Sequence, residues 1–170
     1  YTISAQARGK VSVEATDRAG NVGAKADDKV LVADTIAPGI DVDYKFTNDQ
    51  VREYNDIYYT QGETKVQFTI DEANFDLTLM QAQDETVAPA PVVTVNRVAQ
   101  NVRWTQIDGT DKWVGEITLS GNGDYVVDVS YVDRSTNAMD TYTKEIHIDD
   151  VASVFDVTYD NNDARNTNNY

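Results

Sequence analysis

The sequence predicts an all-β protein folded as an antiparallel sandwich, and three observations predict it. Apolar and polar residues alternate with period two over short runs, Gly, Asn and Asp gather between those runs, and the chain repeats itself at a spacing suited to one sandwich. No long stretch carries a helical period.

The repeat organises everything else. Residues 1–34 align without gaps on residues 117–150: Thr2 falls on Thr118, Val11 on Val127, Val13 on Val129, Asp17 on Asp133, Arg18 on Arg134, Asn21 on Asn137 and Asp34 on Asp150. One residue is then lost, and Asp41-Val42-Asp43-Tyr44 recurs as Asp156-Val157-Thr158-Tyr159. The chain is therefore expected to hold the last strands of one repeat (1–34), a complete repeat (35–149) and the opening of a third (150–170), within a longer parent protein.

Strands follow from alternation. In residues 64–70, Val66, Phe68 and Ile70 share a face, because successive side chains point to opposite sides of a strand. Trp113, Ile117 and Leu119 should face inward on another strand, Tyr125, Val127, Val129 and Tyr131 on the next, and Tyr142, Ile146 and Ile148 on the last. The pattern places strands at about 39–46, 57–60, 64–71, 77–83, 101–107, 112–119, 124–132 and 141–149. Turns fall at Gly62-Glu63, at Asp108-Gly109-Thr110-Asp111, at Gly121-Asn122-Gly123-Asp124 and at 133–137. The segment 85–101, with Pro89 and Pro91, carries the weakest pattern. Short strands in this number and spacing predict an immunoglobulin-like β-sandwich.

Acidic residues outnumber basic ones by 29 to 14, a formal charge of −15. Such a surface repels nucleic acid and anionic lipid, so neither nucleic-acid binding nor membrane insertion is expected. Cysteine is absent, which removes disulfides, thiolate metal sites and a cysteine nucleophile. His147, the only histidine, alternates with inward-facing Ile146 and Ile148, so it should face solvent, and no hydrolase triad is expected. Core packing, not a sugar platform, is the expected role of Trp104 and Trp113 with Tyr58 and Tyr59. Lys65, Lys144 and Asn137 are considered for an internal isopeptide link, against the plainer expectation that strand lysines face solvent.

Asp17-Arg18-Ala19-Gly20-Asn21 is a turn signature, with Asp accepting backbone hydrogen bonds and Gly tolerating a left-handed conformation. That turn, the linker Asp34-Thr35-Ile36-Ala37-Pro38 and the loop Glu72-Ala73-Asn74-Phe75-Asp76 resemble the bacterial immunoglobulin-like (Big-type) tandem repeats of large cell-surface proteins. The central repeat departs from the turn, with Ser135 and Thr136 for Ala and Gly. The resemblance implies an extracellular, secreted or cell-surface protein without enzymatic activity, serving as a stalk or spacer that projects a distal domain. The alternative it implies is an adhesin module that binds a host protein or glycan.

An immunoglobulin-like topology brings the linker and the loops after residues 71 and 132 to one end of the domain. Asp34, Asp71, Glu72 and Asp133 are therefore candidate oxygen ligands for calcium, against a reading as solvated turn residues. No other cofactor is expected. The expected partners are neighbouring repeats, and the cut strand faces predict swapped or head-to-tail self-association.

Overall fold

The computed structural model describes residues 6–75 and 91–157. Its first element is a ribbon of two long antiparallel strands, β1 (Ala7–Thr16) and β2 (Val22–Ala33), which no other described strand joins. The linker through Pro38, which is buried, leads into the main body of the described chain.

There, two sheets enclose one core. The first contains β3 (Gly39–Phe46), β6 (Thr64–Asp71), β9 (Thr105–Gln106) and β10 (Lys112–Leu119), in the order β3-β6-β10-β9. The second contains β4 (Arg52–Tyr54), β5 (Ile57–Thr60), β7 (Val92–Val95), β8 (Val98–Ala99), β11 (Gly123–Ser130) and β12 (Tyr142–Ile148), in the order β4-β5-β12-β11-β7-β8. β5 runs parallel to β12, and the other ladders are antiparallel. With β3, β6 and β10 on one side and β7, β11 and β12 on the other, the sheets have the immunoglobulin-like arrangement.

Alternation explains the packing. Val66, Phe68 and Ile70 of β6 are fully buried while Lys65 and Asp71 are exposed. They meet Ile117 and Leu119 of β10 and, across the sandwich, Val127, Val129, Ile146 and Ile148 of β11 and β12. Trp113, Tyr125 and Tyr142 are half-buried against that core, and Tyr131 is buried.

The structure revises several expected elements. The strand predicted at 101–107 is reduced to Thr105–Gln106, and the one predicted at 77–83 lies outside the described residues. Hairpins β4–β5 and β7–β8 went unforeseen, because their two-residue turns use Asn55-Asp56 and Asn96-Arg97, with positive φ at every position but no glycine to announce it. Lys144 is buried, not solvent-facing: its ammonium is paired with Glu53 (3.0 Å) and Asp56 and lies 4.3 Å from the Tyr58 ring centre. Burial alone would lower its pKa, but the hydrogen bonds it donates to the two carboxylates reverse that and raise it, so the amine stays a charged ion-pair partner and not a nucleophile. Asn137 is engaged elsewhere and Lys65 pairs with Glu116, so the described geometry assembles no cross-link.

His147 also differs from expectation. It lies on the outer face as predicted, yet its Nδ1 is 2.8 Å from Asp124, its Nε2 is 2.8 Å from Glu145, and its ring stacks on Tyr59. Tyr59 is thus on the opposite side of its strand from Tyr58, which packs with Tyr44 and Phe46, so the two tyrosines form no joint platform.

Gly115 in β10 is required by its neighbours. A Cβ there would run into the Val102 side chain and come within 3.0 Å of the Trp104 ring. Gly115→Ala is expected to cost about 1–3 kcal/mol in chemical or thermal denaturation. A substitution without effect would show that Val102 and Trp104 are both free to move aside.

Candidate functional site

The 133–137 turn joins β11 to β12 and is built around one carboxylate. Asp133 Oδ1 accepts the Asn137 N–H at 2.8 Å, Oδ2 accepts the Asn137 amide at 2.8 Å, the Asp133 N–H donates to Asn137 O at 2.9 Å, and the Thr136 N–H donates to Asp133 O at 3.2 Å. The ribbon's turn repeats this network on Asp17, Gly20 and Asn21, at 2.9, 2.8, 2.9 and 3.1 Å. The adjoining pairs correspond too, Thr16 with Val22 and Val132 with Ala138. Hydrogen bonds from the Asn21 side chain, then from backbone N–H groups, hold the Asp17 carboxyl below its ordinary range. Gly20 has φ of 89° and Thr136 has 71°, so a β-branched residue occupies a left-handed position that glycine fills in the other copy.

Glu72 reaches the same end of the sandwich because β6 ends there. Its N–H donates to Asp111 O, its Oε1 accepts the Asn74 N–H at 2.8 Å, and the loop closes with the fully buried Phe75. Phe75 packs 5.1–5.6 Å from Trp113, Tyr131 and Trp104.

Asp34 arrives from the end of the ribbon. Its carboxylate accepts from the Ile36 N–H (3.0 Å), the Gln6 amide (2.9 Å) and the Asn74 amide (2.8 Å), and its carbonyl accepts from Asn137 at 3.2 Å. Carboxylate oxygens of Asp34, Glu72 and Asp133 all lie within 4.8 Å of one another. Glu72 and Asp133 are buried and Asp34 half-buried. A cleft of about 430 Å³ opens beside them, between Val30 and Val32 of the ribbon and Asn74 of the sandwich.

The fourth expected ligand, Asp71, is not in this set. Strand alternation turns it away from the core after Ile70, so it is exposed and faces Lys112 at 3.8 Å. Sequence reasoning also missed Asn74, Asn137 and Gln6, which tie the carboxylates in place. The recurrence of Asn at 21 and 137 was the available signal.

Burial, aided by the charges of Asp34 and Asp133, pushes the Glu72 carboxyl up to about 7, against the opposing pull of the Asn74 N–H. Burial acts upward on Asp34 as well, but the hydrogen bonds from Ile36, Gln6 and Asn74 outweigh it and hold that carboxyl low. At neutral pH such a trio is relieved by a proton or by a cation. The all-oxygen donors suit a hard ion such as Ca²⁺, which accepts irregular and bidentate carboxylate geometry. Comparison with protein-family models, curated proteins and solved structures finds no match for the chain.

Two outcomes are expected. Thr136→Gly should stabilise the protein by about 0.5–1 kcal/mol in thermal denaturation by removing left-handed strain. For Glu72, the folded carboxyl holds its proton up to about 7 against an ordinary value of 4.5, so stability present below pH 4.5 is lost as pH rises through 7. Without divalent ions that loss should be on the order of 2 kcal/mol, and Glu72→Gln should abolish it. Ca²⁺ should restore stability at pH 7.5 in the wild type but not in Glu72→Gln, and a melting temperature indifferent to Ca²⁺ in both would eliminate the cation.

Proposed function

We infer that the chain is a non-catalytic structural segment of a tandem-repeat protein, and specifically a stalk or spacer displayed outside the cell, of the bacterial immunoglobulin-like class its turn and linker motifs resemble. One observation carries this reading. Two turns 116 residues apart, on Asp17 and Asp133, share the same hydrogen bonds, and the segment leaving the first ribbon delivers Asp34 to the loops of the next sandwich.

In this reading residues 1–34 close one repeat, 35–149 form the next and 150–170 open a third. The tail agrees with it: Phe155 and Val157 hold the positions of Ile40 and Val42, which pack against the core, yet both are exposed. Each sandwich contributes its own core, and the junction network limits the angle between neighbours, which is what a projecting stalk requires.

Pulling the chain by its ends is the direct test. A single cooperative rupture should release the segment from β3 to β12, roughly 350–400 Å of contour at 3.3–3.6 Å per residue. The parent protein should give a series of equal ruptures. Gradual extension without a defined rupture would refute the spacer role.

A further inference from the structure

The ribbon departs from its counterpart in register. In β11–β12, Gly123 pairs with Ile148, Tyr125 with Ile146, Val127 with Lys144 and Val129 with Tyr142. Paired residues share a face, and here that face is the core. Shifted by 116, the same register would pair Ala7 with Val32, Gly9 with Val30, Val11 with Asp28 and Val13 with Ala26. The ribbon instead pairs Ala7 with Ala33 and Gly9 with Leu31, breaks between Lys10 and Ser12, and resumes with Val13 opposite Lys25. Each half is one residue off, in opposite directions.

The slip mixes the two faces. Val30 now sits beside Lys10 and Val32 beside Arg8. The transferred register would gather Ala7, Val11, Val13, Ala26, Val30 and Val32 on one side and place Lys10, Glu14, Lys25 and Lys29 on the other. Val127, Val129 and Ile146 are fully buried, whereas Val11, Val13 and Val30 are 43%, 62% and 50% exposed. Burial of one face is what specifies register, and no described strand or sheet covers this one.

We propose that the ribbon is half of a binding surface, that its occupant is a sandwich body built like the segment from β3 to β10, with a basic side chain beside Asp28 on the counterpart of the β4–β5 hairpin, and that docking draws the strands into the β11–β12 register. This rests on the tandem reading above. The charge follows from Lys144, which stands at the position of Asp28 and is held by Glu53 and Asp56. In the ribbon as it stands Lys10 pairs with Asp28 at 3.3 Å, but the transferred register puts Lys10 on the opposite face, so Asp28 then needs a basic partner from outside the ribbon. The body of a second copy, bearing Glu53 and Asp56, is therefore rejected. So is the tail of a second copy: its counterparts β3 and β4 pair with β6 and β5, not with β11 or β12. Gly9, Ala15 and Ala26 replace Tyr125, Tyr131 and Tyr142, so the occupant must also supply the missing bulk.

The test places residues 35–116 ahead of residue 1 of the whole chain, so that the ribbon follows a sandwich body as β11–β12 does. Two versions both carry Gly9→Tyr, Ala15→Tyr and Ala26→Tyr to match volume, and one adds Asp28→Lys. With Asp28→Lys, exchange of the ribbon amides should slow at least about 100-fold relative to the unextended chain. Cross-strand nuclear Overhauser contacts from Val13 should move from residue 25 to residue 26. With Asp28 retained, protection should be at least about tenfold smaller. Equal protection in both versions would overturn the charge selection, and a protected ribbon with Val13 still opposite residue 25 would overturn the register shift. Absence of protection in both would strike the tandem reading itself.

Discussion

Burial of the Phe75 ring is the constraint on which the junction depends. Three aromatic neighbours surround it, Trp113 from β10, Tyr131 just after β11 and Trp104 just before β9. Edge-on and tilted ring contacts of this kind are directional as well as apolar, so they fix where the chain re-enters the core. Because Phe75 is pinned, the three residues before it must arch over the end of the sandwich. That arch carries Glu72 inward and Asn74 toward Asp34. The carboxylate cluster is thus a consequence of an aromatic core, with its electrostatic cost carried by the packing beneath it.

The two turns on Asp17 and Asp133 share one geometry and differ in what surrounds them. Asp at the first turn position and Asn at the last satisfy each other and the backbone in both copies, so the geometry survives even where Thr136 replaces the favourable glycine. On the strands the reverse holds. Lys144 and Asp28 correspond in the aligned stretches and carry opposite charge, and the buried member is tolerated because two carboxylates and a tyrosine ring replace its water.

Much of this was legible in the linear sequence. Alternation alone located β3, β5, β6 and β10, because a half-buried strand forces period two on its residues. The repeat offset marked Asp17 and Asp133 as equivalents before any coordinates, and loop topology marked Asp34, Glu72 and Asp133 for one end of the domain. Asp71 was misjudged because its nearness to Glu72 in sequence was weighed above the alternation that, after inward-facing Ile70, turns it outward. The short hairpins at Asn55-Asp56 and Asn96-Arg97 were missed because positive φ was carried by residues other than glycine.

The sequence by itself determined the all-β class, the strand faces and the repeated turn, since these depend on local alternation and on side chains bonding their own backbone. Only the tertiary structure decided that Lys144 is buried, that His147 is held between two carboxylates, and that Asn74 and Asn137 bind Asp34 across the junction. Each of those depends on residues far apart in the chain meeting at one place, and local patterning carries no record of such distances.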